Sequence, residues 1–212
     1  MNPLHSSYIE HQLSGRYICN SHIESLLSAY NTIVIGHSED GLPIHRIRIG
    51  TGETKVLMWS QMHGNESTTT KSVFDLLRYL QSDKSLLETL QLSIIPILNP
   101  DGAKAYSRFN ANQIDLNRDA IDLSQVESRI LRKEFDEFSP DYAFNLHDQR
   151  TIFGVETKPA TLSLLAPAFD KERSFNDCRT KAAQLAASVF QGLQSSSIAA
   201  QIGRFDDQFN PN

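Results

Sequence analysis

The stretch KVLMWSQMHGNESTTTKSVFDLLRYL, residues 55–80, decides the reading of the fold. Its apolar run from Val56 to Met62 is bounded by Gly52 and Gly64 and reads as a buried strand. A polar corner follows at once, His63-Gly64-Asn65-Glu66. Beyond it, Ser67 to Tyr79 reads as a helix, with Val73, Leu76, Leu77 and Leu80 on one face. A buried strand that turns directly into an amphipathic helix is a unit of an α/β sheet.

Outward from this segment the same alternation continues. Ser21 to Tyr30 is a predicted helix, with Ile23, Leu26 and Leu27 on one side. Thr32 to Ile35 and Ile44 to Ile49 read as strands, and Ser38-Glu39-Asp40-Gly41 between them is a turn signal, so the pair is a hairpin. Leu92 to Leu98 is a second buried strand, containing Pro96. Ser124 to Phe138 is helical, with Ser124 as N-cap and Glu127 at the spacing of a capping box. Tyr142 to Leu146 is a strand, and Cys178 to Leu193 an alanine-rich helix. Strands alternating with helices predict an α/β fold, a mixed, mostly parallel central sheet with helices on both faces. There is no repeat and no low-complexity linker, so residues 1–212 read as a single domain.

His63 lies just past one predicted strand and His147 just past another. Open α/β sheets bind ligands beyond the carboxyl ends of their strands, so the two imidazoles can converge although they are distant in sequence. A catalytic zinc ion takes about three nitrogen and oxygen ligands and keeps one position open. His63 and Glu66, three apart across a strand-to-helix corner, can share one ion, and Gly64 lets the backbone bend between them. Taken alone, H-x-x-E also fits a surface turn with two unrelated polar residues. The other common zinc signature, HExxH, is absent.

Asn99-Pro100-Asp101-Gly102 is a turn signal in its own right. It is followed by Arg108 and by Asp115-Leu116-Asn117-Arg118. Arginine suits carboxylates and oxyanions through its fork of donors, whereas helix-surface charge is the alternative for Arg118. Asn145-Leu146-His147-Asp148 offers a third metal ligand, although a lone histidine is commonly structural. His5, His11, His22, His37 and His45 have no comparable companions and read as surface or structural.

Together and in this order, MHGNE, ILNPDG, the Arg108 region, DLNRD and NLHDQ resemble the zinc carboxypeptidases, the M14 metallopeptidases. The resemblance runs from about Gly36 to His147. It implies a carboxypeptidase-like catalytic domain and one zinc ion held by His63, Glu66 and His147. It implies that Arg108 polarises the scissile carbonyl and holds the oxyanion. Asn117 and Arg118 would bind the substrate's terminal carboxylate, and Asp115 would orient the first zinc histidine. The implied reaction is hydrolysis of a C-terminal peptide bond by a zinc-bound water.

The family also uses a glutamate base on a later strand. Only Glu156 and Glu172 follow His147, and neither closes an apolar strand. Three explanations stand. The sequence stops short of its parent's last strands, which we take as the expectation, making the fold incomplete on its C-terminal side. The protein is a non-catalytic relative that keeps the metal. Or Glu156 or Glu172 serves from an unexpected position.

Composition sets the remaining bounds. Hydrophobic residues are 40% and charged residues 21% of the chain, as in soluble globular proteins, and the net charge is −5. With no basic run to neutralise phosphates, nucleic acid and anionic membrane are not the expected partners. Cys19 and Cys178 are too few for a disulfide framework. The N-terminal segment lacks the basic and apolar regions of a secretory signal, so the expected location is cytoplasmic. The expected partner is a peptide or small amide with a free carboxylate. Two alternatives to the peptidase are a zinc-dependent deacylase of N-acyl amino acids, akin to aspartoacylase and succinylglutamate desuccinylase, and a non-catalytic zinc-binding module.

Overall fold

Ile23, Leu26 and Leu27 form the buried face of the first helix, α1 (Asn20–Leu27). The hairpin follows as β1 (Asn31–His37) and β2 (Pro43–Ile49), paired antiparallel. Its turn closes with Gly41 N donating to Ser38 O at 2.9 Å, and Gly41 takes the left-handed backbone (φ +81°) that glycine adopts without strain. The deciding segment gives β3 (Thr54–Ser60) and α2 (Thr68–Ser82). Next come β4 (Leu90–Ile95), the short α3 (Pro100–Ala105), α4 (Val126–Phe138) and β5 (Tyr142–Leu146). The strand β4 is shorter than predicted because Pro96 has no N–H to continue the ladder.

This computed structural model describes residues 7–148, 154–155, 158–159, 162–167, 176–194 and 200–205. The chain forms two compact units, Met1–Asp148 and Gln149–Asn212. In the first, a five-stranded sheet has the order β1-β2-β4-β3-β5. β2 is antiparallel to both its neighbours, while β3 is parallel to β4 and to β5. Four of these strands therefore run one way and only β2 is reversed, which is the mixed, mostly parallel sheet that the sequence predicts.

Strand alternation assigns the two faces of the sheet. Ile47, Val56, Leu92 and Ile94 pack with Ile23, Leu26 and Leu27 of α1 and Val73, Phe74, Leu77 and Leu80 of α2. The opposite face carries Ile44, Trp59 and Ile95 against Ile130 and Leu131 of α4. That face also buries an ion network, in which Arg46 and Arg48 lie 3.3 and 3.0 Å from the Glu134 carboxylate and Ser93 Oγ donates to it at 2.7 Å.

The capping box predicted at Ser124 and Glu127 does not form. The helix begins at Val126 with Gln125 in the capping position. Ser124 Oγ donates to Asp119 Oδ1 at 2.7 Å, and Glu127 Oε2 accepts from Asn110 Nδ2 at 3.2 Å. Both side chains find tertiary partners that outcompete the local pairing.

In the second unit, α5 (after β6, Gly154–Val155, β7, Lys158–Pro159, and β8, Leu162–Pro167) spans Asp177–Leu193, one residue longer than predicted. Asn176 caps it by accepting from Arg179 N at 2.9 Å. β8 pairs parallel with β9 (Ala200–Phe205), and β6 pairs antiparallel with β7. No helix among the described residues is long and apolar enough to cross a membrane.

Candidate metal centre

β3 and β5 are parallel neighbours, so their carboxyl ends open at the same edge of the sheet. His63 stands just beyond β3 and His147 directly after β5. Between β3 and α2, the chain turns at Gly64 and delivers Glu66 to the same spot. One ligand atom from each of His63, Glu66 and His147 lies within 4.8 Å of the other two. His63 and Glu66 are buried, and His147 is the exposed member.

The carboxylate of Glu66 divides its oxygens between the two imidazoles. His63 Nδ1 lies 2.8 Å from Oε1, and His147 Nδ1 lies 2.8 Å from Oε2. Asp148 N also donates to Oε2 at 3.2 Å. On its far side, His63 Nε2 lies 3.0 Å from Asp115 Oδ1. Both ring nitrogens of His63 thus face carboxylates, but a neutral imidazole has only one N–H. Two arrangements satisfy the geometry: an imidazolium, or Nε2–H donated to Asp115 with a cation shared between Nδ1 and Glu66. The donor set is two nitrogens and a carboxylate, with a carboxylate behind the buried histidine, and this chemistry fits zinc.

The titration behaviour follows from the same contacts. Burial pulls the His63 imidazole down, but hydrogen bonds to Asp115 and Glu66 and the Glu66 charge outweigh it and hold His63 above 6.5. Burial pushes Glu66 up, yet its bonds to His147 and His63 hold it down at about 2. Asp115 is likewise held below the usual carboxylate range, because His63 and Arg108 outweigh its burial. A proton on His63 occupies the place that a cation would take.

Arg108 completes the charge arrangement. Its Nε and Nη2 donate to Asp115 Oδ2 at 3.1 and 2.9 Å, a forked grip on one oxygen. Its Nη1 lies 3.5 Å from Glu66 Oε1, so the remaining edge of the guanidinium borders the cluster. Asp115 also accepts from Asn117 N at 2.9 Å, which caps the 3-10 turn Leu116–Arg118. Asn145 Nδ2 donates to Asn117 Oδ1 at 3.3 Å and so orients that carboxamide. Arg118 is half-buried, and its Nη1 donates to Asn117 O at 3.0 Å.

The predicted residues are therefore gathered as follows. His63, Glu66, His147, Arg108 and Asp115 form one contiguous network. Asn117 joins it through its backbone N–H, and Arg118 is the next residue of the same turn. Glu156 and Glu172 lie outside the described residues. Sequence reasoning missed Asn145 and Asp148. Both stand in the NLHD motif beside His147, and two further polar residues next to a ligand were the signal. Asp148 Oδ2 accepts from Thr68 N at 3.3 Å and Thr68 Oγ1 at 2.7 Å, tying the end of β5 to the start of α2.

Gly64 permits this assembly by close approach. A Cβ there would sit 1.9 Å from the Gly102 carbonyl carbon and 2.1 Å from Ala103 N. Backbone atoms cannot yield as a side-chain tip can. Gly64→Ala is expected to destabilise the fold by about 1–3 kcal/mol, the usual cost of overpacking. Thermal unfolding of the metal-free protein would show it as a Tm several degrees lower.

Residues 20–151 match the family model Peptidase_M14, described as zinc carboxypeptidase. A probable carboxypeptidase 2 of Trichophyton verrucosum is 34% identical over 100 residues, covering 44% of this chain and 19% of that protein. Carboxypeptidase SOL1 of Arabidopsis thaliana is 26% identical over 132 residues, covering 52% of this chain and 27% of that protein. The matches thus span about a fifth to a quarter of the curated relatives' length. A metallo-carboxypeptidase from Burkholderia cenocepacia has a similar structure, with a TM-score of 0.71 at 19% identity over 91% of this chain and 54% of that one. Such a likeness shows the shared fold.

Proposed function

The chain belongs to the zinc carboxypeptidase family, and we propose that it is a metallocarboxypeptidase acting on the C-terminal peptide bond of substrates with a free carboxylate. One observation carries the proposal. His63 Nδ1 and His147 Nδ1 share the two oxygens of Glu66, with the Arg108 guanidinium alongside. One zinc ion would be held by His63, Glu66 and His147. When bound, it supplies Lewis acidity for amide hydrolysis.

The chain's own residues would hold and orient the groups around it. Asp115 holds His63 by Nε2 and keeps Nδ1 aimed at Glu66. The same carboxylate grips two nitrogens of Arg108, so that Nη1 can meet a carbonyl oxygen as negative charge develops on it. Asn117 and Arg118, adjacent in the turn capped by Asp115, would anchor the terminal carboxylate. That anchoring would select chain ends. The family match and the carboxypeptidase relatives favour this reading over the N-acyl amino acid deacylase.

The test pairs metal analysis with hydrolysis of N-blocked dipeptides carrying a free or an amidated C-terminus. The expected result is one zinc per chain and chelator-sensitive release of the terminal residue from the free acid only. Stoichiometric zinc without turnover would leave the metal site and remove the activity, the non-catalytic alternative. Arg118→Ala is expected to raise KM for free-acid substrates roughly 10-fold or more, the loss of one charge-assisted pair at about 1.5–3 kcal/mol. An equal rise with amidated substrates would contradict its role.

A further inference from the structure

We propose that Gln61 and Asn99 are positioning residues for His63, a pair of buried carboxamides that clamp the backbone on either side of the ligand. The proposal rests on the metal reading of His63, Glu66 and His147. Both side chains are fully buried. Gln61 Nε2 donates to Gly64 O at 2.7 Å, immediately after His63. Asn99 Nδ2 donates to Met62 O at 3.2 Å, immediately before it. The two carbonyls flanking the ligand are thus each held by a side-chain amide.

Each clamp is itself anchored to a different element. Gln61 Nε2 also donates to Ile18 O at 3.0 Å, and its Oε1 accepts from Thr70 Oγ1 of α2 at 2.7 Å. Asn99 Oδ1 accepts from Gly102 N at 2.9 Å as the cap of α3. The two residues meet through Asn99 N, which donates to Gln61 O at 3.0 Å. Gln61 also holds a left-handed backbone (φ +45°), a conformation glutamine adopts only when its surroundings enforce it. The strain sits two residues before His63, where the chain leaves β3 and must aim the imidazole at Glu66. A ligand on an unsupported loop would pay for its placement in lost rotamer and backbone freedom, so fixing both neighbours pre-organises the site.

Isosteric changes separate the clamp from the fold. Asn99→Asp keeps the oxygen that caps α3 and loses the donor to Met62 O. Gln61→Glu keeps the acceptor for Thr70 and loses the donors to Gly64 O and Ile18 O. Gln61→Met loses both without adding charge. Zinc affinity would be measured on the full chain by competition with a chromophoric chelator. The visible absorption of the cobalt-substituted protein reports ligand geometry, and circular dichroism and thermal unfolding report the metal-free fold. Outer-shell changes of this kind lower metal affinity by about 10–100-fold. The expected result is a loss in that range and a shifted cobalt spectrum in variants that still unfold cooperatively. Wild-type affinity and spectrum in any folded variant that has lost its donor would overturn the clamp. Loss of fold in all three variants would also overturn it, since the amides would then serve the domain rather than His63. If the wild-type chain binds no stoichiometric zinc or cobalt, the metal reading itself falls, and the clamp with it.

Discussion

His63→Ala or His147→Ala is expected to lower zinc affinity by roughly 10²–10³-fold, measured by elemental analysis and chelator competition. The magnitude follows from structural zinc sites, where about 10–16 kcal/mol of binding shared among four protein ligands gives about 2.5–4 kcal/mol for each one removed. His63→Ala should have the larger effect, because it removes a buried ligand and leaves Asp115 Oδ1 and Glu66 Oε1 facing a gap. Unchanged metal content in either variant would refute the ligand assignment.

The pH dependence has opposite signs with and without metal. In the metal-free protein His63 is held above its unfolded value of 6.5. Its protonation therefore adds stability that is fully present below pH 6.5 and is lost as pH rises through the folded value. Zinc must displace that proton. Apparent zinc affinity should therefore fall about tenfold per pH unit once pH drops below the folded value of His63. Glu66, held at about 2, contributes no proton to this competition near neutrality. Its own stabilising share is present above its ordinary value of 4.5 and disappears only as pH falls through about 2. Denaturation series at pH 6 and pH 8, with chelator and with zinc, would show the crossing. A metal-free protein that gains stability over that interval would count against the imidazolium.

Much of this arrangement was legible in the sequence because it rests on local patterns. Val56 to Trp59 is an unbroken apolar run because β3 is central in the sheet, with neighbours on both edges. His63 and His147 could be paired because each follows such a strand. Asp115 and Arg108 came from resemblance, and the geometry gives the physical reason for their proximity, one carboxylate serving both. What escaped the sequence is non-local. Nothing in Gln61 marks it as a buried amide rather than a surface residue until Ile18, Gly64 and Thr70 surround it. Asn99 was readable as a turn residue, but its second bond, to Met62 O, spans separate loops. Ser124 fails the other way, since its local cap was plausible and a tertiary bond to Asp119 displaced it.

Arg108→Ala is expected to lower kcat by roughly 10²–10³-fold with KM little changed, the loss of an oxyanion donor that acts mainly in the transition state. Zinc content should persist, because Asp115 Oδ1 keeps its contact with His63 while only Oδ2 loses the guanidinium. Arg108→Lys should recover little. A single ammonium cannot both grip Asp115 through two nitrogens and present a third toward Glu66 Oε1. Steady-state kinetics and elemental analysis on the same preparations decide the assignment. If zinc content falls in step with kcat, Arg108 works through Asp115 as a brace for His63. If kcat falls while zinc stays, the guanidinium acts on the substrate. The geometry favours the second outcome: its fork spends two nitrogens on Asp115 and leaves Nη1 beside the cluster, where a carbonyl oxygen would gain charge.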